Sequence, residues 1–223
     1  MDQFITIHHS DDNIATLVLD NKEARVNIFS TPFMEALETA IAELRDSKST
    51  RGLVIRSGKD AGFVAGANID EIANISENSD AYEKSRRGQL LFQKIAQLPF
   101  PTVAAINGHC MGGGTEMVLA CDYRLAAKDE ADIALPEVKL GLFPGWGGTQ
   151  RLPKLISLQK ALDMILTGKS YNAYRALKAG LVDKSVPDKI LNEYAVDFAR
   201  KVIESRGKKY QSKRMQKAGG FQT

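Results

Sequence analysis

Two apolar segments, each running directly into a glycine-bearing loop, constrain the fold more than any other feature of the sequence. Residues 53–55 and 103–106 have the length and composition of buried strands. A segment with helical periodicity, residues 80–98, lies between them. The alternation continues after Gly112, where a short helix is predicted before a strand near residues 123–125. Strands that alternate with helices predict an α/β fold.

The N-terminal part of the chain predicts one further strand and one further helix. Residues 13–20 are rich in β-branched residues and are bounded by turn formers, which favours a strand. A helix should follow from Thr31, with Thr31 as the cap and Pro32 at the first helical position. No sequence repeat indicates the order of the strands, so periodicity predicts only the fold class.

Length and composition predict one folded body followed by a basic tail. The chain has 223 residues, of which 43% are hydrophobic and 26% charged, and no linker-like segment divides it. We therefore expect one domain over residues 1–199. Residues 200–223 carry eight Lys or Arg and one acidic residue, Glu204, which predicts a basic helical tail or the start of a linker to an absent domain. Because few aromatic residues accompany these charges, we expect no nucleic-acid partner.

The sequence lacks the signatures of membrane, metal and nucleotide sites. No apolar run approaches the roughly 18 residues that a membrane span needs, so we expect no membrane span and a cytoplasmic location. Three histidines without metal-ligand spacing predict no metal site. A dinucleotide-binding loop is not predicted, because Met117 and Gln150 stand at the last glycine positions of the two candidate motifs. Asp163 likewise replaces the leading glycine of a phosphate loop.

Two loops and two glutamates remain as the candidate chemistry. Residues 62–69 and 107–116 follow buried strands and consist largely of small residues, so their backbone amides can approach a ligand closely. If the two loops face each other, their amides form an oxyanion hole. Glu116 and Glu137 both lie in apolar sequence, where a carboxyl tends to have a raised pKa suited to acid and base catalysis.

These segments together resemble the enoyl-CoA hydratase/isomerase (crotonase) superfamily. The likeness is greatest to the N-terminal hydratase part of bacterial multifunctional fatty-acid β-oxidation proteins, which also contain a 3-hydroxyacyl-CoA dehydrogenase. It covers nearly all of residues 4–205 and is carried by residues 63–69, 107–116, 135–145, 147–152, 166–169 and 176–182.

The resemblance implies a spiral of ββα turns with C-terminal helices, the C-terminal part being truncated. It also implies an acyl-CoA thioester as the substrate, with no cofactor. The thioester oxygen would be held by the amides of Ala67 and Gly113, and the CoA adenine by the Ala65 carbonyl. The remaining residues expected to contact substrate are Gly66, Gly112, Pro144 and Trp146. For Trp146, packing in the core or the pocket wall is an equal alternative.

Glu116 and Glu137 match the two catalytic glutamates of hydratases in this superfamily. We expect Glu116 to deprotonate the attacking water and Glu137 to deliver a proton to C2. For the natural protein, the resemblance also implies a homo-oligomer, a dehydrogenase domain and a thiolase partner. Asn68 stands where the family usually has Asp, which should have a modest effect because the backbone amides of the loop are retained.

Two other functions are compatible with the sequence. A Δ3,Δ2-enoyl-CoA isomerase would need only Glu137, which would move a proton between C2 and C4 while the same amides hold the enolate. A truncated, non-catalytic acyl-CoA binding module would bind thioesters without turning them over.

Overall fold

The computed structural model describes residues 3–60 and 62–206. In these residues, strands and helices alternate along most of the chain. The strands are β1 (Ile5–His9), β2 (Ile14–Leu19), β3 (Gly52–Ser57), β4 (Gly62–Val64), β5 (Thr102–Ile106), β6 (His109–Met111), β7 (Tyr123–Ala127), β8 (Asp132–Ala134), β9 (Tyr171–Asn172) and β10 (Lys184–Val186). The α-helices are α1 (Thr31–Asp46), α2 (Ile69–Ala73), α3 (Asn78–Ala96), α4 (Gly113–Val118), α5 (Gly148–Leu155), α6 (Leu158–Thr167), α7 (Ala173–Ala179) and α8 (Leu191–Arg206). Short 3-10 turns span Glu137–Leu140 and Asp188–Ile190.

The strands of the described residues form two sheets that the chain visits in turn. The larger sheet has the order β1-β2-β3-β5-β7-β10, and the smaller sheet has the order β4-β6-β8-β9. The pairs are parallel except β1 with β2 and β8 with β9. Each of β3, β5 and β7 in the larger sheet is followed by a strand of the smaller sheet. This repeated ββα turn confirms the predicted α/β spiral.

The central strands of the larger sheet are buried along nearly their whole length. All residues of β5 and β7 are buried, and in β3 only Arg56 is partly exposed. Strands covered on both faces need continuous apolar sequence, and this is the pattern from which β3 and β5 are predicted as buried strands. Helix α8 packs against this sheet, and its Ile203 lies close to Gly52 at the start of β3.

The predicted elements agree with the observed ones, apart from the cap of α1 and shifts of their ends. The strand predicted at residues 13–20 is β2, and the helix predicted at residues 80–98 is α3. The predictions that Thr31 caps α1 and that Pro32 takes its first position are wrong, since the helix begins at Thr31 and Pro32 is its second residue. Ser30 is the cap, because its extended backbone lets its Oγ accept from the Phe33 amide at 3.4 Å.

The predicted division at residue 199 falls inside α8, which continues without a break to Arg206. Val202 is buried in the core, and Arg200 pairs with Asp12 at 2.7 Å, so this part of the predicted tail packs on the folded body. The rest of the predicted tail, residues 207–223, lies outside the described residues. The boundary itself stays a prediction. No helix within the described ranges is both long and apolar enough to cross a membrane.

Candidate active site

The two glycine-bearing loops emerge side by side because the strands that precede them are paired. Strand β4 pairs with β6 in parallel, so both loops leave the same edge of the smaller sheet. The loops are in contact: a Cβ added to Gly112 would lie 3.9 Å from the Cα of Gly66. Both glycines have positive φ, +107° at Gly66 and +49° at Gly112, which a residue with a side chain rarely adopts.

The first loop is held by backbone hydrogen bonds on either side of Ala67. Phe29 donates to the Gly66 carbonyl at 2.8 Å and accepts from the Asn68 amide at 3.0 Å. Within the described part of the chain, the Ala67 amide has no acceptor. The Asn68 side chain caps α2 by accepting from the Asp70 amide at 3.0 Å, a role in which Asn and Asp are equivalent.

The second loop enters α4 through residues that tolerate no side chain. The Gly112 amide donates to the Ala134 carbonyl at 3.0 Å, and the Gly113 amide has no acceptor among residues 3–60 and 62–206. A Cβ on Gly113 would lie 2.4 Å from the Trp146 ring, and one on Gly114 would lie 2.7 Å from the Val64 carbonyl oxygen. The glycines therefore allow the loop to pack closely against β4 and the Trp146 ring.

Glu116 on α4 is buried and held by the loop that precedes α5. Its side chain is close to fully buried, with the residue 2% exposed. Its Oε1 accepts from the Trp146 amide at 2.8 Å and from the Gly148 amide at 2.7 Å. Burial, assisted by the charge of Glu137 and opposed by these two hydrogen bonds, raises the pKa of Glu116 to about 7.

Glu137 begins the 3-10 turn after β8 and reaches back to the second loop. Its Oε1 would lie 3.2 Å from a Cβ on Gly112, and its Oε2 is buried without a hydrogen-bond partner in the described residues. Burial raises the pKa of Glu137. Because its charge also raises the pKa of Glu116, the two carboxyls lie close enough to interact. The structure thus brings both predicted glutamates to one place, beside Gly66 and Gly112.

The other residues predicted to contact substrate surround this place in different ways. Ala65 is exposed at the start of the first loop, with its amide bonded to the Asn27 carbonyl. Pro144 is buried against Gly148. The Trp146 ring packs edge-on to Phe92, with the ring centroids 5.6 Å apart, and lies over Gly113. Trp146 therefore joins the core to the site through its side chain.

Sequence reasoning missed the backbone of residues 146–148 as the partner of Glu116. The signal was present in the glycines around Trp146, since Gly147 has a φ of +111° and lets two nearby amides turn toward one carboxylate. No cluster of three His, Cys, Asp or Glu side chains that could hold a metal ion occurs in the described residues.

A family model described as enoyl-CoA hydratase/isomerase matches residues 9–218. The chain belongs to this family. Its fold agrees with the assignment, since the enoyl-CoA hydratase from Bacillus anthracis superposes with a TM-score of 0.85 at 35% sequence identity. That comparison covers 92% of this chain and 78% of the hydratase. The predicted family and crotonase-like fold are both confirmed.

The curated relatives of this family member are longer proteins. The fatty acid oxidation complex subunit alpha of Aliivibrio fischeri is 49% identical over 193 residues, which cover 86% of this chain and 28% of that protein. The protein of the same name from Vibrio parahaemolyticus is 44% identical over 208 residues, which cover 93% of this chain and 29% of that protein. The chain thus spans less than a third of these relatives, in agreement with the predicted likeness to one part of a fatty-acid oxidation protein.

Proposed function

We propose that the chain hydrates trans-2-enoyl-CoA to 3-hydroxyacyl-CoA in fatty-acid β-oxidation. The observation that carries this proposal is the meeting of Glu116 and Glu137 beside the contact of the two glycine-bearing loops. Addition of water across a double bond needs one group to take a proton and another to give one. Two interacting carboxyls with raised pKa values suit that exchange, and relatives named for enoyl-CoA hydration and fatty acid oxidation support it.

The loop amides supply the electrostatic part of the proposed reaction. Attack of water at C3 of the enoyl thioester places enolate charge on the thioester oxygen. The amides of Ala67 and Gly113 would donate to that oxygen, and donors of this kind are worth about 3–4 kcal/mol each in other oxyanion holes. Because the loops are fixed by backbone hydrogen bonds, these donors need little rearrangement during the reaction.

Each glutamate has one proton to move in this reaction. The two carboxyls share one proton, and in the reactive form Glu137 holds it while Glu116 is ionised. Glu116 takes a proton from water as the oxygen bonds to C3, and Glu137 gives its proton to C2. The thioester regains its carbonyl, and a proton returning from Glu116 to Glu137, directly or through solvent, completes the cycle. The reaction requires no cofactor, because the CoA thioester is the substrate. The Ala65 carbonyl would accept from the adenine, while Gly66, Gly112, Pro144 and Trp146 would surround the substrate.

The test is hydration of crotonyl-CoA, followed by the loss of the conjugated thioester absorbance. We expect hydration by the unmodified protein and a loss of at least about a hundredfold in kcat for Glu116→Gln, because Gln keeps the shape but cannot take the proton. Glu137→Gln should be impaired to a similar degree. Hydration by Glu116→Gln at the unmodified rate would contradict the role of Glu116.

Isomerisation of Δ3-enoyl-CoA is a second candidate, favoured by the buried and unpartnered Oε2 of Glu137. A single carboxyl could take a proton from C2 and return it to C4. Conversion of 3-enoyl-CoA without hydration of crotonyl-CoA would select this activity. Thioester binding in calorimetry without either reaction would instead indicate an acyl-CoA binding module.

The natural protein's assembly and location belong to the same proposal. A cytoplasmic location, a homo-oligomer, a dehydrogenase domain and a thiolase partner stay predictions. The relatives' name, fatty acid oxidation complex subunit alpha, supports a place for this chain in a larger fatty-acid oxidation protein.

A further inference from the structure

Arg151 lies in the first turn of α5, behind the loop that holds Glu116. Its Nη1 donates to the Trp146 carbonyl at 3.0 Å, and the guanidinium rests against the Cα of Gly147. The side chain is half-buried. The Trp146 carbonyl is the acceptor for its side chain, and among the described residues Arg151 forms no ion pair. A half-buried cation that is not in a direct ion pair needs another source of charge compensation.

The loop of residues 145–148 is hydrogen-bonded both to the Glu116 carboxylate and to this cation. The amides of Trp146 and Gly148 donate to Glu116 Oε1 at 2.8 and 2.7 Å. The carbonyl of Trp146 accepts from Arg151. The loop therefore presents donors to the carboxylate and an acceptor to the guanidinium, which orients its peptide dipoles favourably toward both charges.

We propose that Arg151 is a positioning residue that fixes the loop of residues 145–148 against Glu116 and compensates the Glu116 carboxylate through it. The expected change in the pH profile of kcat rests on the proposed hydration. The expected change in the pKa of Glu116 does not, because it can be measured without activity. The positive charge of Arg151 favours ionised Glu116, the form that takes a proton from water. Burial lowers the pKa of Arg151, and the charge of Glu116 acts in the opposite direction.

Within the described part of the chain, the charged and titratable groups that act on Glu116 or Arg151 come from three elements. Glu137, in the 3-10 turn after β8, disfavours ionised Glu116, whereas Arg151 on α5 favours it. The Cys121 thiol, beyond the end of α4, interacts with Arg151. Arg151 is therefore the cationic group that opposes both the burial of Glu116 and the charge of Glu137.

Two substitutions separate the positioning from the charge. Arg151→Gln keeps an N–H donor for the Trp146 carbonyl and removes the charge, whereas Arg151→Lys keeps the charge and loses the planar guanidinium. For Arg151→Gln we expect the pKa of Glu116 to rise by about half a pH unit or more, because a nearby cation has been removed. The apparent pKa of the acid limb in the pH profile of kcat should rise by the same amount, and KM should change less than twofold. Arg151→Lys should restore most of the pH profile. Lys154→Gln, which removes an exposed charge from the same helix, serves as the matched control and should leave the profile unchanged.

Two readouts distinguish failure of this inference from failure of the proposed function. The pKa of Glu116 is measured by carboxyl carbon NMR on protein with labelled glutamate, assigned with Glu116→Gln, which requires no activity. The acid limb is measured with crotonyl-CoA. A higher pKa of Glu116 in Arg151→Gln supports the inference even if crotonyl-CoA is not hydrated. An unchanged pKa in folded Arg151→Gln overturns it, even if the protein proves to be a hydratase. If Arg151→Gln fails to fold, Arg151→Lys is measured instead. A rise of about half a pH unit or more in the apparent pKa of its acid limb would overturn the inference, because this variant keeps the positive charge.

Discussion

At the scale of single residues, the interaction of two buried carboxyls governs the proposed chemistry. The pKa of Glu116 is raised to about 7, mainly by burial, and the pKa of Glu137 is raised by the same cause. Because the two groups interact, the pH dependence of the reaction belongs to the pair. The pair thus keeps a proton at a pH where exposed carboxyls have lost theirs.

We predict that kcat/KM for hydration falls on the acid side with an apparent pKa near 7. Below that pH, Glu116 becomes protonated and cannot take a proton from water, so the rate should fall about tenfold per pH unit. The measurement is the initial rate of crotonyl-CoA hydration between pH 4 and 9 at constant ionic strength. An acid limb near the ordinary glutamate value of about 4.5 would show that the base is not a buried carboxyl.

Gly88 on α3 is a second residue whose effect on the site can be predicted. A Cβ at Gly88 would lie 2.4 Å from Cδ1 of the Trp146 ring. The ring must move to accommodate it, and we expect the Trp146 amide that donates to Glu116 to move with the ring. Gly88→Ala should therefore lower both stability, by about 1–3 kcal/mol, and kcat.

A double-mutant cycle provides the control for Gly88. Alanine is favoured over glycine within helices by about 1 kcal/mol. With Trp146→Ala in the background, the clash is gone and Gly88→Ala should stabilise the protein. Denaturation midpoints of the four proteins measure this change of sign. Destabilisation by Gly88→Ala in both backgrounds would show that the contact with Trp146 is not the cause.

At the scale of secondary-structure elements, the site depends on how the first loop is tied to the larger sheet. Asn27, which is 1% exposed, donates through Nδ2 to the Leu19 carbonyl, Ser57 Oγ and the Phe63 carbonyl, at 2.8, 3.0 and 3.1 Å. Its backbone carbonyl accepts from Ala65 at 2.9 Å. One buried side chain thus joins the ends of β2, β3 and β4 where the first loop begins.

We predict that Asn27→Ala destabilises the protein by about 3 kcal/mol, because buried acceptors lose their partner and a cavity forms. Chemical denaturation followed by circular dichroism measures the change. The control is Asn21→Ala. Among residues 3–60 and 62–206 the Asn21 side chain accepts only from the Glu23 amide, in an exposed turn, so this substitution should cost less than about 1 kcal/mol. Equal costs for the two substitutions would contradict the proposed role of Asn27.

The elements also show why local sequence predicted one sheet better than the other. Residues 53–55 and 103–106 were recognisable as strands because burial on both faces requires continuous apolar sequence. Strands β4, β6 and β8 have three residues each, too few for an alternating pattern to emerge. The smaller sheet, from which both loops emerge, was therefore not predicted from periodicity.

At the scale of the whole molecule, the site is assembled from successive turns of the spiral. Gly66 follows β4, Glu116 follows β6 and Glu137 follows β8, and these three strands are neighbours in the smaller sheet. Their residue types predicted acid and base chemistry, and the family resemblance predicted their roles. Their proximity depends on pairing between strands distant in sequence, which local patterns do not encode. The contacts of the Trp146 backbone with Glu116 and Arg151 were not predicted, because they join residues that are distant in sequence or involve the backbone alone.

The burial of Glu116 should also appear in the stability of the whole protein. Its folded pKa of about 7 lies above the ordinary value of 4.5, so between these pH values the folded state binds more protons than the unfolded state. Stability from this group is complete below pH 4.5 and is lost as the pH rises through 7. At pH 8, a pKa shift of this size lowers the free energy of unfolding by about 3 kcal/mol relative to its value at low pH.

Glu116→Gln should therefore be more stable than the unmodified protein at pH 8 and similar to it at pH 4.5. The glutamine oxygen can still accept from Trp146 and Gly148, so the substitution removes the buried charge and keeps the hydrogen bonds. Urea unfolding of both proteins at several pH values measures the difference, and Glu130→Gln, at an exposed loop position, is the matched control. A difference between Glu116→Gln and the unmodified protein that does not change with pH would mean that Glu116 ionises as easily in the folded protein as in the unfolded chain. In that case Glu116→Gln would lose activity without becoming more stable, although removal of a buried catalytic carboxylate is expected to stabilise the folded protein.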